Sequence, residues 1–420
     1  MGRLITLDVW RSLPEVRFEG IAGTKLCREG WCCGHMNING EVKAFLSWEQ
    51  VEAIKKQWVA PGNAPESNWE LYRDSLRSRS ECLAPYVLSA YDGNRLLGML
   101  GGRVERGDVV LRFGYWRLLR LPLQKIMIDF VQTLLPEDCE ELLRRTVSKV
   151  VEDLLCRRAD VAAFDFMPDD STVHRFLQEI ELPFGMKNSV SQRRIHWYLN
   201  LPTNFHEYQR NHKGLMQKVR KFETAYGGRH EYRLLSGSNE IDDFCASAEV
   251  VARSSYQRAL HTGFLNSRED RGKIRAAAAQ GSWLAFIALV EGRPVAFWSG
   301  CRFENNVFLW WTSYDRDYQE FSPGLVAFTR LVERLMGDGV TWIDFGGGDA
   351  PYKERLGNES RWERKLCIYA PTLRGMLAKG ICGLDAALGN LIRTKLKGLA
   401  NRLKSPWRRF MARKVSGHPA

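Results

Sequence analysis

The segment Asp344-Phe-Gly-Gly-Gly-Asp-Ala-Pro-Tyr-Lys353 brings two carboxylates, a run of glycines, a phenol and an amine close together. It lies where a short strand, Val340 to Phe345, gives way to a helix start. Consecutive glycines allow positive φ and let a ligand approach the backbone, which a bulkier run would block. Asp349 suits an N-cap and Pro351 a first helical turn, from which Tyr352 and Lys353 then project. A capped helix after a tight turn accounts for Asp349 and Pro351, but less well for Tyr352 and Lys353. A second feature is Ser322-Pro323-Gly324. A helix start with free N–H groups and a small residue suits an anion such as pyrophosphate, although Ser-Pro also begins many ordinary helices. No G-x-S-x-G elbow stands near a suitable histidine, which argues against covalent Ser-His-Asp or Cys-His chemistry.

These residues need elements to hold them. Helix-like segments at about 239–259 and 268–280 precede three strands, Trp283 to Val290, Val295 to Phe303 and Val307 to Tyr314, joined by Glu291-Gly292-Arg293-Pro294 and Glu304-Asn305-Asn306. Leu325, Phe328, Leu331, Val332 and Leu335 mark one face of a helix closed by Gly337 and Gly339. The strand Val340 to Phe345 follows, and Arg364 to Tyr369 ends the half. The first half repeats this order: strands Tyr86 to Tyr91, Arg95 to Val104 and Val109 to Tyr115, the last two split by a turn at Arg106-Gly107-Asp108; a helix Asp138 to Arg157; a strand Val161 to Phe166; a helix from Ser171; and a closing strand Arg193 to Leu199. Setting AAFDFMPDDSTVHRFL over TWIDFGGGDAPYKERL aligns Asp165 with Asp344 and Phe166 with Phe345. Two copies of one mixed α/β module follow. Where the second has Gly347, Gly348, Tyr352 and Lys353, the first has Pro168, Asp169, Val173 and His174, so the second is the chemically equipped copy.

The order of elements, with S-P-G and D-F-x-x-G-D-x-x-Y-K, resembles the GNAT acyltransferase superfamily in its FemAB-like and cellulose-biosynthesis (CelD/BcsL-type) branch. The resemblance is strongest from Asn204 to Tyr369 and looser back to about residue 40. The usual pyrophosphate loop [RQ]-x-x-G-x-[GA] is replaced by Tyr318-Gln-Glu-Phe-Ser-Pro-Gly324. It implies two tandem GNAT-like modules, with a mixed, mostly antiparallel sheet and flanking helices: an N-terminal extension (1–39), a degenerate module (40–200), a catalytic module (201–371) and a basic amphipathic tail (372–420). It implies acyl-CoA as co-substrate, with no metal and no tightly bound cofactor. The pantetheine would lie between the third and fourth strands of the second module, the pyrophosphate near Ser322, Gly324 and Leu325, and the acyl carbonyl against a backbone N–H near Trp311 to Ser313. By the same resemblance Tyr352 protonates the departing thiolate, Lys353 neutralises phosphate or oxyanion, and Asp349 orients them or acts as base. Tyr256, Arg258 and His261 are then candidate acceptor contacts. The acceptor is an envelope or polysaccharide precursor: a sugar, a lipid-linked saccharide or an amino compound. An aminoacyl-tRNA donor, as in FemAB relatives, and a non-catalytic membrane adaptor are the alternatives.

Charge sharpens the picture. The net charge is +12, yet residues 373–420 hold eleven basic residues against the single acid Asp385, so the body is nearly neutral. Apolar positions at Leu373, Leu377, Ile381, Leu384, Leu388, Ile392, Leu396, Leu399 and Leu403 repeat every three or four residues among these cations. An amphipathic helix on an anionic membrane surface through 373–414, or a helix packed on the body, would show that pattern. Arg210 to Lys221 is a second basic helix, either a site for an anionic acceptor or a solvated face. Trp310 and Trp311 alternate, so one should pack in the core and the other line the groove. No aromatic-and-basic motif suggests nucleic acid. The longest apolar run, Trp283 to Val290, is too short to span a bilayer, and the N-terminus does not read as a secretory signal. Ten cysteines without such a signal indicate free thiols and a cytoplasmic chain, peripheral to the membrane through its tail. The cluster Cys27, Cys32, Cys33 and His35 has no metal-site spacing.

Overall fold

Alternating apolar residues build a single twelve-stranded sheet. A computed structural model describes residues 41–58, 68–113, 116–182, 186, 189–255, 258 and 263–395. The cysteine cluster, Tyr256, His261 and the tail beyond Lys395 lie outside the described residues. The first half runs β1 (Val42–Phe45), α1 (Trp48–Ala53), α2 (Trp69–Ser78), β2 (Cys82–Asp92), β3 (Arg95–Phe113), β4 (Trp116–Thr133), α3 (Cys139–Leu155), β5 (Val161–Pro168), α4 (Thr172–Glu179) and β6 (Ser189–Asn200). The second runs α5 (Phe205–Asn211), α6 (Lys213–Tyr226), β7 (His230–Leu235), α7 (Ile241–Arg253), α8 (Arg268–Ala279), β8 (Trp283–Val290), β9 (Arg293–Phe303), β10 (Asn306–Tyr314), α9 (Pro323–Gly337), β11 (Trp342–Gly347), α10 (Pro351–Leu356) and β12 (Glu359–Tyr369), followed by α11 (Leu373–Lys395).

The strand order is β1-β2-β3-β4-β5-β12-β6-β11-β10-β9-β8-β7. Each half contributes one parallel pair, β4 with β5 and β10 with β11, and the remaining neighbours are antiparallel. The repeat is therefore present in the topology, with one departure from expectation. Arg193 to Leu199 does not close the first half, because β6 pairs with β11 of the second, while β12 pairs with β5 of the first. The two exchanged strands pair with each other at the centre of the sheet.

A second correction concerns β3. Arg106-Gly107-Asp108 makes no turn, since these residues pair with Gln124, Leu123 and Pro122 along an uninterrupted strand. The third strand is consequently β4, later than Val109 to Tyr115. A glycine flanked by polar residues reads as a turn, but here the ladder continues through it.

The faces of the sheet are covered unequally. On one face α3 packs Leu143, Val147, Val150 and Leu154 against Leu100, Ile126 and Phe164, and α9 packs Val326, Phe328 and Leu331 against Trp298, Ile343 and Phe345. The other face carries α2 over Val87 and Met99, and α7 and α8 over Trp283, Ile287 and Phe297. There α11 covers Leu123, Cys367 and Tyr369 with Ala378. The first part of the basic tail thus belongs to the body: Ala378 is 0% and Ile381 6% exposed, and a Cβ on Gly375 would stand 2.2 Å from the Ala370 carbonyl. Small residues in the tail allow this close seating. Leu373, Met376, Leu377 and Leu384 remain exposed on α11. No helix among the described residues is long and apolar enough to cross a membrane.

Candidate functional site

Strands β10 and β11 pair only over Asn306–Phe308 and Trp342–Asp344, then separate. A break in register between Leu309 and Trp311 marks a bulge in β10. The bulge breaks the alternation expected of Trp310 and Trp311: both rings lie near Lys273 of α8, at 4.2 and 5.8 Å from its Nζ, and both pack against the α7–α8 core. Trp311 therefore turns its ring away from the opening between the strands, towards Phe264.

Beyond that opening, between the end of β10 and α10, lies an open cavity of ≈ 1010 Å³. Thr312, Ser313 and Tyr314 form one wall, Pro351, Tyr352 and Arg355 another, and Ser322, Gly324 and Leu325 the end at the start of α9. Four of the residues expected to hold a donor, Ser313, Ser322, Gly324 and Leu325, come together here with Tyr352. Ser322 adopts a left-handed conformation (φ 54°) and makes no side-chain cap bond. Its Oγ instead accepts a hydrogen bond from Lys218 Nζ at 3.0 Å. The basic stretch that contains Lys218 is α6, whose Leu215, Val219 and Phe222 are buried, so one face packs and another presents cations to this corner. Trp298 Nε1 donates to the Gly324 carbonyl at 2.8 Å and stacks edge-on against the Tyr352 ring, with centroids 5.6 Å apart. One indole thus links the start of α9 to the phenol.

The glycine turn is built differently from expectation. Asp349 is exposed and Ala350 occupies the N-cap of α10 without a side-chain cap bond, so Asp349 does not cap this helix. Gly346 (φ 72°) and Gly348 (φ 109°) have the positive φ that glycine permits. Lys353 is buried and turned back, donating from Nζ to the Gly346 and Gly347 carbonyls at 3.0 and 2.8 Å. Burial pushes its amine down to about 8, against an opposing pull from Asp344. Arg258 is engaged within its own loop, bonded to Glu249 at 2.8 Å and to the Phe264 carbonyl at 3.3 Å.

On the opposite face of the central strands lies a network that sequence reasoning missed. His196 of β6 contacts Asp344 of β11 through Nε2 and Glu363 of β12 through Nδ1, the latter at 2.8 Å. Glu363, 2% exposed, also accepts from Arg194 Nε at 3.0 Å and from Arg361 at 3.1 Å. Asp344 accepts from the Gly346 N–H. Burial alone would lower the imidazole, but its hydrogen bond to Asp344 and the close contact of the Glu363 carboxylate outweigh that and raise its pKa. Burial would raise the Glu363 carboxyl, yet His196 and Arg194 hold it below its ordinary value. The signal was present as a two-residue period: Arg194, His196 and Tyr198 on β6, and Arg361, Glu363 and Lys365 on β12, put polar groups where a buried strand would have apolar ones.

Comparison with known proteins agrees with the geometry. Residues 209–354 match the acetyltransferase (GNAT) domain family. That segment carries a GNAT-type domain. The chain matches no curated protein in sequence. Among solved structures it is similar to FemX, with a TM-score of 0.54 at 10% identity, over 81% of this chain and 100% of that one. It is also similar to a tandem GNAT protein from the clavulanic acid biosynthesis pathway, with a TM-score of 0.43 at 11% identity, over 79% and 99% of the two chains. A third is L-PGS from Bacillus licheniformis, with a TM-score of 0.44 at 11% identity, over 80% and 96%. At such identities the likeness to FemX is one of fold.

Proposed function

We propose that the chain transfers an acyl group, acetyl in the simplest case, from acyl-CoA to an amine or hydroxyl of a cell-envelope or polysaccharide precursor. The observation that carries this reading is the cavity between the end of β10 and α10, which has a helix start at one end and a phenol at its wall. The amides at the start of α9, with Lys218 beside Ser322, suit a pyrophosphate. Backbone N–H groups near the bulge in β10 would polarise the thioester carbonyl, and the acceptor would attack it directly. The C–S bond breaks as the new C–N or C–O bond forms, Tyr352 gives its proton to the leaving thiolate, and the proton released from the acceptor's N–H or O–H passes through solvent to restore the phenol. Lys353 acts one step back, holding the glycine turn from which α10 springs.

The first half offers a built-in contrast. Its helix between the parallel strands, α3, begins among Glu137, Asp138, Glu140 and Glu141, a cluster that repels a pyrophosphate. This contrast supports a donor site in the second half.

An aminoacyl-tRNA donor is the second reading, supported by the likeness in fold to FemX. Incubating the protein with acetyl-CoA and a panel of amino sugars, while following thiol release, tests the first. Release that persists undiminished in Tyr352→Phe would sink the assigned role, and transfer from aminoacyl-tRNA alone would favour the second reading. The exposed leucines of α11, followed by a strongly cationic segment, support a peripheral position on an anionic membrane.

A further inference from the structure

The polar network behind the glycine turn has more positive charge than its carboxylates need. Arg194 and Arg361 share the single carboxylate of Glu363, with His196 on the same group. Their side chains remain 33% and 49% exposed, whereas Glu363 is 2% exposed, so the guanidinium groups form the outer layer. Arg194 spends Nε on Glu363, and its two terminal nitrogens have no hydrogen-bond partner among the described residues. Arg361 spends Nε and one terminal nitrogen, which leaves the other without one.

Both planes are held in place from beneath. The Arg194 guanidinium lies 3.5 Å from the centre of the Phe166 ring, and that ring reaches its position because Phe166 adopts φ 39°, a conformation aromatic residues rarely take. Arg361 lies over Tyr198, 5.0 Å from its ring centre. Tyr198 is 3% exposed, and its hydroxyl has no hydrogen-bond partner among the described residues. Arg194 also crosses the glycine turn so closely that a Cβ on Gly347 would stand 2.1 Å from its Nε. The close approach that this glycine allows is thus made by an arginine. A planar fork, stacked and already oriented by a carboxylate, is the arrangement that recognises a phosphate oxyanion with little loss of side-chain freedom.

We propose that Arg194 and Arg361 form an anion subsite that holds a phosphate group of the acyl acceptor, on the face of β11 opposite the donor cavity. This rests on the acyl-transfer reading for what the ligand does, and not for whether it binds. The phosphate belongs either to a soluble sugar phosphate or to the headgroup of a lipid, and the same fork would read both.

Calorimetric titration of the full-length protein with glucose 1-phosphate, and sedimentation with phosphatidylcholine vesicles with and without phosphatidic acid, test it in two arms. Binding in either arm, weakened about tenfold or more in both Arg194→Gln and Arg361→Gln and unchanged in Tyr352→Phe, is the expected result. A protein that binds neither probe, or an arginine variant that binds as wild type, overturns the proposal. Should Arg194→Gln fail to fold, Arg361→Gln, whose side chain is half exposed, gives the deciding readout. Coenzyme A is titrated separately: its failure to bind the wild type would count against the donor reading, while the phosphate result stands by itself.

Discussion

Tyr352 and Lys353 are adjacent in sequence and turn to opposite sides of their short helix, the phenol to the donor cavity and the amine to the Gly346 and Gly347 carbonyls. On the proposed reading the pair divides two tasks, proton delivery by Tyr352 and support by Lys353 of the turn that aims it. Tyr352→Phe should leave CoA affinity near that of wild type and lower kcat about a hundredfold or more, the range set by loss of a general acid. Lys353→Met should lower thermal stability as well as activity, because two half-buried carbonyls, of Gly346 and Gly347, lose their donor. Steady-state kinetics alongside a thermal melt separates the two outcomes.

Gly347→Ala forces a Cβ into the Arg194 guanidinium, and Arg194 is tied to both Glu363 and Phe166. The expected cost is about 1–3 kcal/mol, read as a lower urea midpoint. Gly292→Ala is the control: its φ of 78° is strained, but a Cβ there meets nothing within 4 Å. The phosphate affinity of Gly347→Ala should fall, while that of Gly292→Ala should not.

The His196 network predicts a pH dependence. A histidine whose pKa is raised on folding contributes stability that is complete below its ordinary value of 6.5 and lost as pH climbs through the raised value. Glu363, lowered on folding, contributes stability that is complete above its ordinary value of 4.5 and lost as pH falls through the lowered one. Together they favour the fold most between those two values. Melting temperatures from pH 5 to 9 should fall on the alkaline side in wild type, and His196→Gln should flatten that fall; parallel curves would contradict it.

Trp298 ties the Gly324 carbonyl to the Tyr352 ring. Trp298→Phe keeps an aromatic ring and removes the donor, at about 0.5–1.5 kcal/mol. KM for acyl-CoA should rise more than kcat falls, since the start of α9 loosens before the proton donor does.

Ending the chain at Pro371 should destabilise it, contrary to what a detachable tail would do. Ile381 is 6% exposed, and losing its burial alone costs about 1.5–3 kcal/mol. Substituting Leu373, Leu377 and Leu384 by Gln leaves the buried face of α11 intact. That triple variant should melt as wild type and lose affinity for anionic vesicles, which sedimentation would show.

Much of the second half was legible because its signals are local. The wholly apolar Trp283 to Val290, the two short turns after it and the apolar face of α9 each specify their own element. Their order also brought Ser313, Ser322, Gly324 and Leu325 to one cavity. The exchange of β6 and β12 was hidden, because alternation tells a strand which face to bury and nothing of which neighbour to choose. Arg194, His196 and Glu363 were hidden for the same reason: β6 and β12 lie far apart in sequence, and their side chains converge only once the strands have paired across the halves. At β10 the alternation rule itself failed, since one bulge put both tryptophans on the same face.

The exchanged strands bear on inheritance. A cut between residues 200 and 201 would part His196 from Asp344 and Arg194 from Glu363, and would leave each fragment holding a strand that belongs in the other's sheet. On the proposed reading, the module without a donor site cannot be cut away, because each module's sheet is completed by a strand that the other carries.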